Sequence, residues 1–255
     1  MSHPPFRNDK IPLRPKAMKA LLDNQFAPVT FTCGFVESPF LELSETFVRW
    51  WNQITANSEA RMENRRFCAP LPEALSALEP LTTPSDRDLL IETRSRWSAI
   101  FSNGLRVNDV LSPVSYLPTV LKSRGLNVVC VPDRSGKAGK DGLQIWGAVK
   151  FGLYGPDRKT WGNLIRSVSV TNDVGGWEFG ATGEVQPFEQ TENYRKRRTV
   201  DRFTPEMLQS YCAALGIDLF NEHFYGGECL LSHIKRVAQP GPTMSIAEAR
   251  AHVFI

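Results

Sequence analysis

Tyr194-Arg195-Lys196-Arg197-Arg198, with Asp201 and Arg202 just beyond, is the densest charge feature of this 255-residue sequence. Consecutive arginine and lysine side chains can clamp phosphates or carboxylates through charge-assisted hydrogen bonds, and Tyr194 offers a ring for stacking. The plainer reading of such a run is a solvated edge or loop, where cations discourage strand pairing. A second polar group, Asn103, Arg106, Asn108 and Asp109, follows the aromatic stretch Trp97-Ser98-Ala99-Ile100-Phe101 at an Asn103-Gly104 turn. The candidate binding residues are therefore Tyr194, Arg195, Lys196, Arg197, Arg198, Asn103, Arg106 and Asp109.

Catalytic chemistry needs spacings that the sequence does not supply. The histidines are His3, His223, His233 and His252, and no Cys-x-x-Cys or His-Glu-x-x-His occurs. His223, Cys229 and His233 lie near one another in sequence but complete no four-ligand set, so neither a metal nor a cofactor is expected. Ser135-Gly136-Lys137-Ala138-Gly139-Lys140 has the composition of a phosphate loop. Alanine and aspartate follow its two Gly-Lys pairs, however, so the pattern fails and a solvated hairpin tip is the expectation. Gly175-Gly176 and Gly180-Ala181-Thr182-Gly183 depart from the dinucleotide fingerprint, and no Gly-x-Ser-x-Gly positions a nucleophile. A Cys–His pair has no local signature. Glu178 and Glu184 share one strand face but stand about 20 Å apart at strand rise, against the roughly 5–9.5 Å of a glycosidase pair.

Composition narrows the setting. With 42% hydrophobic and 22% charged residues the chain should fold on its own. A net charge of +3 from 30 basic and 27 acidic residues gives non-specific nucleic-acid binding no general support, so only a local cluster could provide it. The first residues, Met1-Ser2-His3-Pro4-Pro5, do not read as an export signal, and no apolar run is long enough to span a bilayer. Cys33, Cys68, Cys130, Cys212 and Cys229 are odd in number and scattered. Buried free thiols in a reducing cytoplasm are the expectation, with no membrane partner.

These residues need a scaffold, and the sequence patterns predict one. Alternation predicts strands over residues 28–36, 87–93, 96–101 and 126–131, and most clearly over 143–154, 164–171 and 176–186. The turn residues Gly155-Pro156-Asp157 and Asn172-Asp173 join the last three as an antiparallel meander, with Trp177 and Phe179 on the side opposite Glu178. Helices are predicted over residues 15–22, from an N-cap at Ser44 through Phe47, Trp50, Trp51 and Ile54, over 118–123, and from Thr204-Pro205 to Gly216. The prolines of residues 70–84 mark a lobe join around one helical turn. Leu71, Leu75, Leu78 and Leu81 argue against a flexible linker there. The expected fold class is α+β, an antiparallel sheet meander flanked by helices. It forms one compact domain over 1–255 that admits two lobes, with a loose arm over 1–12.

Around the Trp97 block, Phe203-Thr204-Pro205-Glu206 and Leu215-Gly216-Ile217-Asp218, the chain resembles bacterial proteins of the polymorphic-toxin immunity type. That resemblance covers about a third of the chain, implies a non-catalytic inhibitor binding one protein tightly, and transfers no functional residue. The leading expectation is thus a non-enzymatic protein-binding module. The alternatives are an enzyme whose site is assembled from distant residues, and a binder of RNA or single-stranded DNA using residues 195–198.

Overall fold

Period-two alternation dominates the apolar segments, and the sheet it builds organises the rest of the chain. The computed structural model describes residues 20–105, 110–133, 146–157, 161–173, 176–235 and 241–254. In chain order these form β1 (Thr32–Val36), α1 (Phe40–Thr55), β2 (Arg61–Pro70), α2 (Leu71–Ser76), β3 (Leu81–Thr82), β4 (Arg87–Thr93), β5 (Ser98–Ser102) and α3 (Leu111–Leu121). They continue with β6 (Gly125–Val131), β7 (Ala148–Tyr154), β8 (Leu164–Asp173), β9 (Gly176–Gly183), α4 (Pro205–Ala214), β10 (Tyr225–Lys235), β11 (Thr243–Met244) and α5 (Ile246–Phe254). Nine strands make one antiparallel sheet in the order β2-β10-β4-β5-β1-β6-β7-β8-β9, and β3 pairs with β11 in a separate ribbon. The fold is α+β, as its patterning predicts. No helix among the described residues is long and apolar enough to cross a membrane.

Helices cover both faces of the sheet. On one face Phe35, Ile91, Phe101, Leu126, Phe151 and Val168 meet the buried sides of α2, α4 and α5 in the larger core. On the other face Val36, Leu90, Ile100 and Leu230 meet Phe40, Leu43 and Phe47 of α1 and Val114 and Leu117 of α3. The second packing is close at Gly125, where an added Cβ would lie 2.1 Å from the Val114 carbonyl oxygen, so only glycine lets α3 approach β6. Residues 70–84 show no break. Leu71, Leu75, Leu78 and Leu81 are fully buried, and strands from both sides of the segment share the sheet.

The β7–β8–β9 meander follows the predicted register. Val149, Phe151 and Leu153 point into the core, Lys150 points away, and Trp177 and Phe179 pack on the core side. Residues 143–145 of the predicted strand lie outside the described residues, as do the arm, most of the predicted helix over 15–22 and the Ser135–Lys140 tip. β9 ends at Gly183 rather than at residue 186. Thr204 caps α4 by accepting from the Met207 amide, and Gly216 takes φ +84° just past the helix, both as expected.

Other expectations need correction. α1 begins at Phe40, right after Pro39, so Ser44 lies inside the helix, donating to the Leu41 carbonyl and accepting from Arg66. α3 begins seven residues before Pro118, which sits within the helix. Residues 29–31 form a 3-10 turn, leaving the first strand to start at Thr32. β2 was not predicted at all, because its sequence, Arg-Met-Glu-Asn-Arg-Arg-Phe-Cys-Ala-Pro, carries charge on both faces. Cys68 lies on that strand and is exposed, whereas Cys33, Cys130, Cys212 and Cys229 are buried as expected.

Candidate protein-binding surface

Arg166 lies on the core-facing side of β8 in step with Val168 and Val170, a position where a charge requires a buried partner. Glu189 supplies it. Its two carboxylate oxygens accept from Arg166 Nε at 2.9 Å and Nη2 at 2.8 Å, with the two side chains 5% and 0% exposed. The same carboxylate accepts from the Gln186 amide at 2.8 Å and from the Tyr194 hydroxyl at 2.7 Å. Arg166 Nη1 also donates to the Gly183 carbonyl. Tyr211 of α4 closes the network, lying 2.9 Å from the Tyr194 hydroxyl and accepting from the Gln190 amide.

Charge states follow from this geometry. Burial disfavours the Arg166 cation, but its hydrogen bonds and charge pairing with Glu189 outweigh that and hold its pKa above the ordinary value. Burial, followed by the hydrogen bonds to Tyr211 and Glu189, pushes the Tyr194 phenol far up, so it stays protonated and donates. Burial likewise raises Tyr211.

This network fixes the segment after β9 against the sheet and so positions the basic run. The Tyr194 ring packs on Phe179 of β9 with centroids 5.1 Å apart, and the Arg202 guanidinium stands 5.9 Å from the same ring. Tyr194 is therefore not the free stacking platform that the sequence suggests. Directly after it Arg195, Lys196, Arg197 and Arg198 are all exposed to solvent. Arg198 reaches Asp201 at 3.7 Å, and Arg202 Nε donates to the Lys196 carbonyl, tying the run at both ends. Among the described residues Arg195 and Arg197 have no side-chain partner. Val185, two residues past β9, is 54% exposed.

The other candidates separate from this surface. Asn103 is fully buried at the end of β5 and is committed to the fold. Its Oδ1 accepts from the Asp86 and Arg87 amides, and its Nδ2 donates to the Pro80 carbonyl and to Asp86. It serves as a pin rather than a turn residue, and neither Asn103 nor Gly104 has a positive φ. β5 and β9 are five strands apart, roughly 24 Å at about 4.8 Å per strand, so Asn103 does not join the basic run. Arg106, Asn108 and Asp109 lie outside the described residues. Sequence reasoning missed Arg166, Glu189 and Tyr211. The available signal was an arginine at a core-parity position of a strand.

Other chemistry is less well provided for. Burial raises the thiols of Cys33 and Cys212, Cys130 to about 12 and Cys229 to about 11, which disfavours thiolate nucleophiles at those positions. Among the described residues no three or more His, Cys, Asp or Glu side chains group as metal ligands. His233 stands 3.5 Å from Asp86, and His223 is exposed on a separate turn. An open depression of about 260 Å³ lined by Asp23, Gln209, Asp218, Phe220 and Asn221 holds two carboxylates, of which Asp218 accepts from Asn221. No family model matches the chain, and no curated protein or solved structure is significantly similar to it.

Proposed function

We propose that this protein is a non-catalytic binding module that captures an acidic protein partner on residues 195–198, as an immunity protein captures a bacterial toxin. The observation that carries this reading is the contrast between four exposed cations and the buried Arg166–Glu189–Tyr194–Tyr211 network that holds them in place. A pre-ordered backbone spares binding the cost of ordering the segment, leaving only the side chains to be fixed. Arginine is also enriched among residues that dominate protein interfaces, where complementary charge accelerates encounter and selects partners. In this reading the setting is the bacterial cytoplasm.

The same geometry favours protein over nucleic acid. Single-strand binders need free aromatic faces, yet Tyr194 is turned inward and Phe179 is flanked by Tyr194 and Arg202. Fluorescence titration of the wild type and of the variant with residues 195–198 all alanine separates the readings. Acidic peptides should bind the wild type and lose at least tenfold in affinity in the variant, with folding unchanged. Binding of single-stranded RNA at physiological salt that the variant abolishes, with no acidic peptide bound, would overturn the proposal.

A further inference from the structure

β2 stands at the opposite end of the sheet from β9 and ends the ladder there, its outer backbone edge paired with no strand among the described residues. It is ten residues long, so the edge runs about 34 Å. Edges of that length are usually blunted or covered. Residues 63–66 are exposed. Arg61, Glu63, Arg65 and Phe67 share the face of the larger core, where Phe67 packs and the Arg65 guanidinium lies 4.8 Å from its ring. Met62, Asn64 and Arg66 share the α1 face, where Arg66 donates to Ser44 of α1.

We propose that β2 pairs with β2 of a second copy of this chain, antiparallel about a two-fold axis at Asn64, joining two nine-stranded sheets edge to edge. The register follows from charge. Residues directly opposite in an antiparallel pair share a face, so a two-fold axis within the ladder must pass through a residue and cannot pass between two. With the axis at Asn64, Glu63 faces the partner's Arg65 and Arg65 faces the partner's Glu63. Arg61 then faces the partner's Phe67, and Met62 lies along the stem of the partner's Arg66. Centring on Arg65 would set arginine on arginine. Centring on Glu63 would set glutamate on glutamate and Arg61 on the partner's Arg65. Opposite charges directly across a ladder stabilise it and like charges oppose it, so the Asn64 register is selected among its neighbours. The pairing is isologous and therefore closes at two copies, which consumes the exposed edge without propagating. It leaves residues 195–198, at the far end of each sheet, free, and it stands independently of the function proposed for them.

Sedimentation velocity of the full-length chain over a concentration series tests this, using the wild type, Arg65→Glu, Glu63→Lys and an equimolar mixture of the two variants. The wild type should show a monomer–dimer equilibrium. Each variant alone places like charges opposite one another and should self-associate at least tenfold more weakly. The mixture should recover the dimer, because lysine at 63 then faces glutamate at 65 and Arg65 faces Glu63. Glu63 is exposed and its contact with Lys235 is a surface ion pair, so neither change should unfold the chain, and recovery in the mixture shows that both variants are folded. A wild type that stays monomeric throughout the series, a variant that dimerises as the wild type does, or a mixture that stays monomeric would each overturn the proposal. So would an acidic peptide that binds the wild-type monomer and is lost in Arg65→Glu.

Discussion

Glu189→Ala is the most informative single substitution, because that carboxylate joins the sheet, α4 and the basic segment. Its removal leaves the Arg166 guanidinium, 5% exposed, without its counter-charge, and leaves the Tyr194 hydroxyl and the Gln186 amide without their acceptor. Breaking a buried pair from one side costs about 3–5 kcal/mol. In a domain of this size that lowers Tm by roughly 6–20 °C. Replacing both partners, as in Arg166→Met with Glu189→Met, removes the uncompensated charge and should be less destabilising than the single change, since an apolar pair avoids the desolvation cost. Urea denaturation of the two single variants and the double variant yields the coupling. Limited trypsin digestion supplies a local readout, because releasing Tyr194 should speed cleavage after residues 195–198. A single variant that loses less than about 1 kcal/mol, or a double variant that loses the sum of the singles, would refute the view that this pair pins the segment.

Two further outcomes follow from buried groups. Asn103→Ala should destabilise by about 1–3 kcal/mol, because the Asp86 and Arg87 amides and the Pro80 carbonyl lose their partner in a buried site, and thermal melting measures it. In the native state only Cys68 should react rapidly with a thiol reagent at pH 8, and the thiol stability contribution should be lost on the alkaline side. Cys130 and Cys229 keep their protons in the folded chain up to about 12 and about 11, against an ordinary 9.0, so the unfolded chain loses protons first. Stability from these thiols is therefore full below pH 9 and falls as pH rises towards 11–12, and urea midpoints across that range report it. Rapid labelling of all the thiols in the native state, or midpoints that rise across the window, would contradict the burial pattern.

The sheet's far half is legible in the sequence because each residue's face is set by local period. Val149, Phe151 and Leu153 alternate with Lys150, whereas Asn172-Asp173, which read as turn residues, instead end β8 and pair with Trp177 and Gly176 of β9. Thr204-Pro205 and Gly216 bound α4 for equally local reasons, a side-chain cap at one end and a left-handed residue at the other. β2 has no such signature. As an edge strand it is solvated on most of both faces, so nothing forces apolar alternation on it, and only its pairing with β10 makes it a strand. α3 hides its start for a related reason. Pro118 reads as a helix start, and packing on β1 and β6 holds the helix through it.

By itself the sequence determined the α+β class, the β7–β9 meander, the α4 caps and the position of a basic run, because those depend on side-chain period, backbone conformational preference and charge within a few residues. Tertiary structure alone decided that Tyr194 turns inward, that Asn103 is a buried pin, and that Arg166 and Glu189, 23 positions apart, meet in the core. It also decided that residues 61–70 form a strand at one end of the sheet. These are facts of desolvation. A buried arginine must find its carboxylate wherever the chain brings one, and which residues water abandons is fixed only when distant segments pack together.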